Sequence, residues 1–496
     1  MFSTIVPILT FIHFLALTGL ACYGLHRLWL LRCWFAERKK ISATEVIQED
    51  PSFRPMITIQ LPLYNESFVA ARLVDAVAGL DWPRNSLEIQ VLDDSTDNTR
   101  QIASERVANW RSREVDISLL HRSKRLGYKA GALAAGLQKA KGEFIAIFDA
   151  DFVPQPDFLK QTVPCFRDKK VGMVQARWSF LNPDHSWLTR LQALLLSPHF
   201  GVEHFVRFRR NLFFNFNGTA GIWRRRAIEE SGGWQHDTVT EDLDLSYRAQ
   251  LAGFRFIYLD SVSVDSELPE TLSAFRSQQQ RWTKGSLQTA RKILPTLLTS
   301  TLPIGVKYEA AAHLLANLGW ILAAILTITV LPTLAWRGNL FSGKLLLLDC
   351  VLFFGSTWTI LFYLYSYAKI RHQGRFVATL PLLPLLSLGL APNLAWAALQ
   401  GLFRGGGVFE RTPKYGLQNP QHLKRLNVQH WGNGTRFLAI HTFFFCLSLL
   451  PVMYAWDSGL WTAAPFLALF PLAFLLIIVR ECQEMYWAKC RKNHHA

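Results

Sequence analysis

Hydrophobic and polar positions follow two different patterns along the 496-residue chain. Long stretches without charged residues stand near its beginning and after residue 309, whereas residues 51–295 alternate short apolar runs with amphipathic ones. Long apolar stretches predict membrane spans, and short runs alternating with amphipathic segments predict strands and helices of a folded domain. The chain is therefore expected to combine a soluble domain with several spans.

Five short apolar runs inside this domain are predicted as strands: 56–63, 87–92, 117–120, 144–148 and 171–175. Amphipathic stretches between them, for example 68–78 and 129–139, predict helices. Strands and helices in alternation favour a mostly parallel sheet with helices on both faces. A length of about 240 residues is compatible with a single domain.

The first apolar stretch, residues 2–31, carries only Arg27 and is followed by a basic group. No basic residue precedes it, so it is predicted as a retained span with its basic end in the cytosol. Five later stretches lack Lys, Arg, Asp and Glu and are near the length of a span: 310–336, 350–368, 376–403, 437–456 and 458–479.

The third of these stretches, residues 376–403, creates a conflict in topology. If all five cross, the basic loop that follows it and the basic C-terminal tail lie on opposite sides of the membrane, against the positive-inside rule. The stretch contains Pro381, Pro384 and Pro392, which break helices. We therefore expect it to be re-entrant or interfacial, with an N-terminal span in 1–40, the soluble domain in 51–295, and four spans in 296–496.

Composition narrows the functional classes. Half of the residues are hydrophobic, mean hydropathy is +0.13, and the formal net charge is +16. The basic residues cluster beside apolar stretches and form no basic stripe interleaved with aromatics, so nucleic-acid binding is not expected. The cysteines form no C-x-x-C pair, which argues against a zinc site.

Residues 187–210 mix leucine and phenylalanine with several arginines. This pattern is compatible with a basic amphipathic helix on a membrane surface. It is equally compatible with an ordinary helix that covers the sheet, and both alternatives stay open at this point.

Two carboxylates one residue apart, Asp149 and Asp151, directly follow the apolar run 144–148. Unpaired carboxylates cannot remain in the interior of an apolar sheet, so the strand must end there. Open α/β sheets bind ligands at this end of their strands, and carboxylate oxygens suit Mg²⁺ or Mn²⁺. The alternative is a turn with capping acids.

Polar groups also follow other predicted strands. Tyr64 and Glu66 follow the first run, and Asp93 and Asp94 follow the second. Tyr64 and Glu66 can bind a nucleoside. The alternative is that the polar groups after both strands cap or stabilise the start of the next helix. Lys129 near a helix start is unfavourable for the helix dipole, and a bound phosphate would explain it.

Two polar groups occur later in the domain: Thr240-Glu241-Asp242 and Gln278-Gln279-Gln280-Arg281-Trp282. The first can be a capping threonine with two acids in the first helical turn. The second brings amides, a guanidinium and an indole onto one helix, where burial without a ligand is costly. Sugars stack on indoles and accept hydrogen bonds from amides, so a carbohydrate is compatible with it.

Together these groups resemble the spaced motifs D, DxD, TED and QxxRW of family 2 glycosyltransferases in the cellulose-synthase superfamily. Longer segments, such as LDDSTD, VQARWSF, FNGTAGIWR and ELPE, look like the cellulose-synthase-like families A and C, which make mannan and glucan backbones. The resemblance covers roughly residues 55–285. QQQRW departs from the QQHRW usual in the plant families, which leaves the donor sugar open.

The resemblance implies an α/β domain of the GT-A, Rossmann-like type on the cytosolic face, joined to α-helical spans. It implies an inverting transfer in which Asp242 is the base, Asp149 and Asp151 hold Mg²⁺ or Mn²⁺, and Lys129 adds positive charge near the diphosphate. The nucleoside would contact Tyr64, Glu66, Asp93 and Asp94. The acceptor and diphosphate would contact Thr240, Glu241, Gln278, Arg281 and Trp282.

The expected activity is that of a processive β-1,4-glycan synthase in the plasma membrane, with UDP-glucose or GDP-mannose as donor and a glycan as acceptor. One alternative is a single transfer to a membrane lipid, as in the related ceramide glucosyltransferases. Another is a binding or transport protein with an inactive transferase domain. The basic loop after residue 403, with Arg411 and Lys414, is expected to close over the donor.

Overall fold

The computed structural model describes residues 2–40, 50–337, 342–408, 411–416 and 434–494. In these residues the strands are β1 (Ile57–Leu63), β2 (Leu87–Asp93), β3 (Ile117–His121), β4 (Phe144–Ile147), β5 (Val171–Phe180), β6 (Gly221–Arg224) and β7 (Arg255–Ser266). All five predicted strands are present. The structure adds β6 and β7, which the sequence pattern did not predict.

Helices alternate with these strands and then form the C-terminal half. They are α1 (Phe2–Arg38), α2 (Ala70–Ala78), α3 (Thr99–Arg111), α4 (Tyr128–Lys139), α5 (Phe158–Thr162), α6 (Trp187–Pro198), α7 (Phe205–Arg209), α8 (Arg225–Glu230), α9 (Glu241–Leu251) and α10 (Leu272–Thr299). The remaining ones are α11 (Ile304–Leu315), α12 (Gly319–Arg337), α13 (Ser342–Phe353), α14 (Thr359–Ile370), α15 (Leu382–Phe403), α16 (Gly434–Asp457) and α17 (Ala464–His494).

The strands form one mixed sheet in the order β3-β2-β1-β4-β6-β5-β7. Four of its six strand pairs are parallel, as expected, and β6 runs antiparallel to both of its neighbours. The central strand β1 is apolar or neutral throughout and almost fully buried, as a strand covered on both faces requires. The carboxyl ends of β1, β2 and β4 therefore lie side by side.

Two hydrophobic clusters cover the two faces of the sheet. One cluster consists of residues from the soluble domain alone, among them Ile59 and Val74. The other joins sheet residues such as Ile147 and Trp223 to Trp34 of α1 and Leu390 of α15. One face of the sheet thus shares a continuous core with the long apolar helices, which brings the domain directly against them.

The segment predicted at residues 187–210 forms α6, a π-helical turn at His199–His204, and α7. Its residues Leu188, Leu191 and Leu194 are buried in the core that the sheet shares with the apolar helices. The structure thus favours the second alternative, a helix that covers the sheet. Arg207, which an exposed basic face would have kept in solvent, is fully buried.

Within the part of the chain that the structure describes, six helices are long and apolar enough to cross a membrane: Ile5–Arg38, Ile304–Ala335, Leu347–Ile370, Leu382–Phe403, Thr435–Asp457 and Ala464–Trp487. The protein therefore has the architecture of a multi-pass membrane protein. The expectation that prolines break the fourth of these helices is wrong, because α15 continues through Pro392. Its neighbours α10 and α17 surround it, so tertiary packing offsets the missing hydrogen bond. The non-crossing path of this segment stays a prediction.

Candidate active site

The carboxyl ends of β1, β2 and β4 meet the first turns of α4 and α9 at a cavity of about 140 Å³. Eleven of the thirteen predicted site residues line it: Tyr64, Glu66, Asp94, Lys129, Asp149, Asp151, Glu241, Asp242, Gln278, Arg281 and Trp282. Two do not. Asp93 is buried below the cavity, and Thr240 lines a second cavity next to it. Residues distant in sequence are therefore brought together largely as predicted.

Asp149 and Asp151 lie just after β4, as expected, and each contacts a lysine. Lys129 Nζ contacts Asp149 and donates a hydrogen bond to the carbonyl of Gly218 at 2.9 Å. Lys414 Nζ lies 2.7 Å from Asp151 Oδ2, which also accepts a hydrogen bond from the backbone of Glu267 at 3.2 Å. Both carboxylates thus have cationic partners that come from other parts of the chain.

Negative charge is concentrated at this end of the cavity. Burial raises the pKa of Glu66 to about 8, and the neighbouring Asp151 and Asp149 contribute to the rise although Arg411 and Lys414 oppose it. Among the described residues, no group of three His, Cys, Asp or Glu side chains is placed to hold a metal ion. The two D-x-D carboxylates offer the oxygen ligands that Mg²⁺ and Mn²⁺ prefer, and such ions also take water and phosphate oxygens.

The acids after β2 have protein partners of their own. Asp93 Oδ2 lies 2.7 Å from His121 Nδ1, and its Oδ1 accepts the Ser95 amide at 3.1 Å. Asp94 receives two hydrogen bonds from Arg122, at 2.8 and 2.5 Å. Asp94 faces the cavity and Asp93 organises the strand end beneath it, so the direct contact predicted between Asp93 and a nucleoside remains a prediction.

Asp242 occupies the first turn of α9, where the helix N-terminus favours a negative charge. Burial nevertheless raises its pKa above the usual range, while Lys129 and Arg281 oppose the rise. Burial and Asp242 together raise the pKa of the adjacent Glu241 to about 7. A carboxylate whose pKa is shifted towards neutral pH is suited to accept a proton.

Gly218 lies against this carboxylate. A Cβ atom on Gly218 would come 2.8 Å from Asp242 Oδ2, and the backbone φ of +82° is one that other residues rarely adopt. The glycine therefore lets Asp242 approach the backbone that Lys129 also contacts. It stands in the segment FNGTAGIWR, whose exact chemistry the sequence left unassigned.

Helix α10 carries the three residues of the QxxRW motif. Gln278, Arg281 and Trp282 all face the cavity, and the buried Oε1 of Gln278 has no hydrogen-bond partner among the described residues. A buried acceptor without a partner is costly unless a ligand satisfies it. This observation agrees with a polar ligand at the α10 side of the cavity.

A second cavity of about 390 Å³ adjoins the first. Asp242 and Trp282 line both, so they stand at the junction. The polar lining of the second cavity includes His199, Asn217 and Glu203. Its apolar lining consists largely of leucines from the long apolar helices: Leu364, Leu383, Leu386, Leu390 and Leu394. The cavity thus extends from Asp242 to these helices.

Residues 411–416 reach into the first cavity from beyond α15. Arg411 forms an ion pair with Glu66 at 2.9 Å, and Lys414 pairs with Asp151. The amide of Gly416 donates to Glu267 Oε2 at 3.1 Å, and Arg72 holds the other oxygen of that carboxylate at 2.7 Å. These contacts bring the loop next to the D-x-D acids, and its closure over a donor stays a prediction.

Residues 55–285 match the family model described as Glycosyltransferase like family 2. This part of the chain is therefore similar to family 2 glycosyltransferase domains. The chain is 46% identical over 245 residues to glucomannan 4-beta-mannosyltransferase 2 of Arabidopsis thaliana, a match that covers 48% of this chain and 46% of the relative. It is 45% identical over 251 residues to glucomannan 4-beta-mannosyltransferase 9 of the same plant, covering 50% and 47%. The chain spans about half the length of the curated relatives it matches.

The fold of this glycosyltransferase domain and its flanking helices has a solved counterpart. Mannosyltransferase PcManGT from Pyrobaculum calidifontis, in complex with GDP-Man and Mn²⁺, matches with a TM-score of 0.53 and 23% identity over 80% of this chain and 99% of that one. The similarity identifies the seven-stranded mixed sheet as a GT-A fold, as the sequence motifs implied.

Sequence reasoning missed three residues of the glycosyltransferase site. Arg125 lines the cavity beside Tyr64, Trp178 lines both cavities, and Arg72 orients Glu267. Trp178 and Glu267 stand inside the segments VQARWSF and ELPE, so the resemblance offered a signal for them. Arg125 and Arg72 carry no such signal, because their roles depend on contacts across the folded domain.

Proposed function

We propose that the protein is a membrane-embedded inverting hexosyltransferase that extends a β-1,4-linked glycan from a nucleotide sugar. The observation that carries this proposal is the location of Asp242 at the junction of two cavities. One contains the D-x-D acids and Lys129, which suit a diphosphate, and the other leads towards membrane helices. A base between a donor site and an acceptor path is what glycosyl transfer requires.

The proposed chemistry follows from the residues around the junction. Asp242 takes the proton from an acceptor hydroxyl as that oxygen attacks the anomeric carbon, and the diphosphate departs on the opposite side. General-base catalysis of this kind typically contributes about 10²–10⁴-fold. Lys129 and Arg281 supply positive charge to the departing diphosphate.

Asp149 and Asp151 would hold Mg²⁺ or Mn²⁺ together with the diphosphate. The bound ion would supply charge against the leaving group. In its absence, Lys129 and Lys414 neutralise the same two carboxylates. Tyr64, Glu66 and Asp94 would then surround the nucleoside.

The relatives and the fold neighbour favour one donor among those that the sequence left open. Both curated relatives are named mannosyltransferases, and the solved neighbour contains GDP-Man. We therefore propose GDP-mannose as the donor, with UDP-glucose as the second choice. The corresponding product is a β-1,4-mannan or glucomannan backbone.

The second cavity is the proposed acceptor path. Trp282 would stack on the terminal sugar, because the flat apolar face of a sugar packs well on an indole ring. Gln278, Glu241 and Thr240 would bind acceptor hydroxyls, and the polar lining with His199 and Asn217 would follow the chain. The proposed location is the plasma membrane, with the catalytic domain in the cytosol as the basic end of α1 favours.

A second candidate function is a single transfer to a membrane lipid. The leucine-rich lining of the second cavity favours it, because an acyl chain can pack there. The two functions differ in their products, since one yields a polymer and the other a glycolipid. Extraction into organic solvent separates them.

The test is to incubate the purified full-length protein with GDP-mannose, UDP-glucose or UDP-GlcNAc and with Mg²⁺ or Mn²⁺. Released nucleotide and labelled polymer are measured, and the polymer is digested with β-mannanase or β-1,4-glucanase. We expect polymer from GDP-mannose that β-mannanase degrades. Glycolipid as the only product would support the second candidate. No turnover with any donor, with acceptor lipids included, would contradict both.

A further inference from the structure

Arg125 lines the first cavity from the loop before α4, and the proposed function assigns it no role. Its guanidinium carbon lies 3.5 Å from the centre of the Tyr64 ring and 4.9 Å from that of Tyr128. Two aromatic rings therefore fix the guanidinium beside the ring that is proposed to contact the nucleoside. A fixed guanidinium presents its N–H groups in a defined direction.

The arginine lacks the partners that usually accompany a partly buried guanidinium. Its Nε is buried and has no hydrogen-bond partner among the described residues. Burial lowers the pKa of Arg125 from its ordinary value, which reflects this loss of solvent. A buried donor without an acceptor costs free energy, and a ligand that supplies the acceptor recovers it.

Arg122, three residues earlier, has a different environment. It donates two hydrogen bonds to Asp94 and others to the carbonyls of Leu126 and Tyr128, at 3.1 and 2.9 Å. Arg122 thus satisfies Asp94 and shapes the loop, while Arg125 faces the cavity. Of these two arginines, Arg122 is bound to protein groups, and Arg125 is the one available to a ligand.

The ligand group beside Arg125 is more readily a nucleotide base than a phosphate. The D-x-D acids that serve the diphosphate already have Lys129 and Lys414 beside them. Arg125 instead lies over the ring of Tyr64, on the side of the cavity proposed for the nucleoside, and 4.9 Å from the centre of the Tyr128 ring. A guanidinium fork binds two neighbouring acceptors, and the O6 and N7 atoms of guanine form such a pair.

We propose that Arg125 selects the base of the donor by donating hydrogen bonds to O6 and N7 of guanine. This inference rests on the proposed function, because it assumes a nucleotide-sugar donor. Uracil offers one carbonyl oxygen on the corresponding edge, so it binds more weakly. Adenine presents an amino group there, and two donors facing each other disfavour it.

The test measures nucleotide binding, so it does not depend on turnover. Isothermal titration of the purified full-length protein in detergent, with Mn²⁺ present, compares GDP, UDP and ADP. The wild-type protein is expected to bind GDP most tightly and ADP most weakly. Arg125→Ala should weaken GDP binding by roughly 5- to 150-fold, the range for loss of a bidentate base contact, and affect ADP far less.

Two further variants make the test decisive. Arg125→Lys keeps the charge and removes the fork, so it should also lose most of the preference for GDP. If Arg125→Ala does not fold, Arg125→Lys provides the same test of the preference for GDP. Lys124→Ala removes the same charge from an exposed neighbour in the same loop and should leave all three affinities unchanged.

Several results would overturn the inference. Equal weakening of all three nucleotides in Arg125→Ala would assign the arginine to the phosphates. A GDP preference that survives in Arg125→Lys, or one that the wild-type protein never has, would remove base selection by the fork. If the wild-type protein binds no nucleotide, the proposed function fails and this inference fails with it, which differs from every result above.

Discussion

Two clusters of buried charge in this protein have opposite characters. The catalytic cluster consists of Glu66, Asp149 and Asp151 with Lys129, Arg411 and Lys414, and it lines an open cavity. The interhelical cluster consists of Arg27, Glu203, Arg207 and Glu309, and it ties α1 and α7 to α11. In the interhelical cluster, Arg207 is 0% and Glu309 1% exposed, and their side chains are 3.0 Å apart.

The difference lies in whether the partners can be exchanged. Arg411 and Lys414 come from a loop beyond α15, so a bound ion and diphosphate can take their place beside the acids. Arg207, Glu309 and His26, which lies 2.7 Å from Glu309, come from packed helices and have no such substitute. Loss of a residue should therefore reduce catalysis in the first cluster and stability in the second.

Replacement of Glu309 should have the largest effect. Glu309→Gln removes the carboxylate that Arg207 and His26 share and leaves Arg207 with Glu203 alone at 3.4 Å, and breaking a buried pair typically costs about 3–5 kcal/mol. Thermal unfolding in detergent should shift strongly downwards. Glu229→Gln, which removes an exposed pair with Arg225, is the control and should change little. Unchanged stability with reduced turnover would instead assign Glu309 to the active site.

Gly218→Ala tests the catalytic side. The added Cβ has to displace Asp242 Oδ2, from which it would otherwise be 2.8 Å away. A displacement of about 1 Å at a reacting group can cost roughly 100-fold in rate. We expect kcat to fall by about that factor while the protein stays folded, as judged by its unfolding temperature. Gly253→Ala, at a glycine of similar φ with open space around it, is the matched control, and kcat should stay at the wild-type value.

Lys414→Ala should have a smaller effect on catalysis. It removes a positive charge that lies 2.7 Å from Asp151 and that would face the donor diphosphate once the ion takes this carboxylate; a contact with a charged group is worth about 1.5–3 kcal/mol. We expect kcat/KM for the donor to fall roughly tenfold, with the unfolding temperature nearly unchanged. Lys169→Ala, at an exposed position, is the charge control. Equal kcat/KM in the two variants would contradict closure of the loop over the donor.

Glu270 belongs to neither cluster and should give the smallest effect. Burial raises its pKa from 4.5 to about 7, and Asn182 opposes the rise. Its folded form holds the proton more tightly than the unfolded chain, so stability is lost as pH rises from about 4.5 to about 7. The unfolding temperature of Glu270→Gln, relative to that of the wild-type protein, should therefore rise as pH increases through this window. Above it, the difference between the two proteins should stay constant. A difference independent of pH would contradict the shifted pKa.

The sequence predicted the catalytic cluster far better than the interhelical one. Asp149, Asp151 and Asp242 stand at the ends of predictable elements, and their spacing resembles known motifs. The pattern of residues 187–210 left the environment of Arg207 open between a membrane surface and the sheet, because its partner Glu309 is 102 residues away and no local pattern links them. The contact between Lys414 and Asp151 spans 263 residues, so no local pattern predicted it either, and closure of the basic loop over the donor stays a prediction.

The sheet shows the same division. The five predicted strands are short apolar runs, and β1, β2 and β4 are almost entirely buried. β6 contains only two large apolar side chains, Ile222 and Trp223, which are too few for a signal, and it forms because β4 and β5 flank it. β7 alternates apolar and polar residues, as in Val262-Ser263-Val264-Asp265, so its pattern was present in the sequence.

Asp242 is the proposed base at the junction of a donor site and an acceptor path. The most direct measurement compares the wild-type protein with Asp242→Asn for both GDP-mannose binding and polymer formation in the presence of Mn²⁺. We expect Asp242→Asn to bind the donor about as well as the wild-type protein does and to lose about 10²–10⁴-fold in polymer formation. An Asp242→Asn variant that forms polymer at the wild-type rate would contradict it.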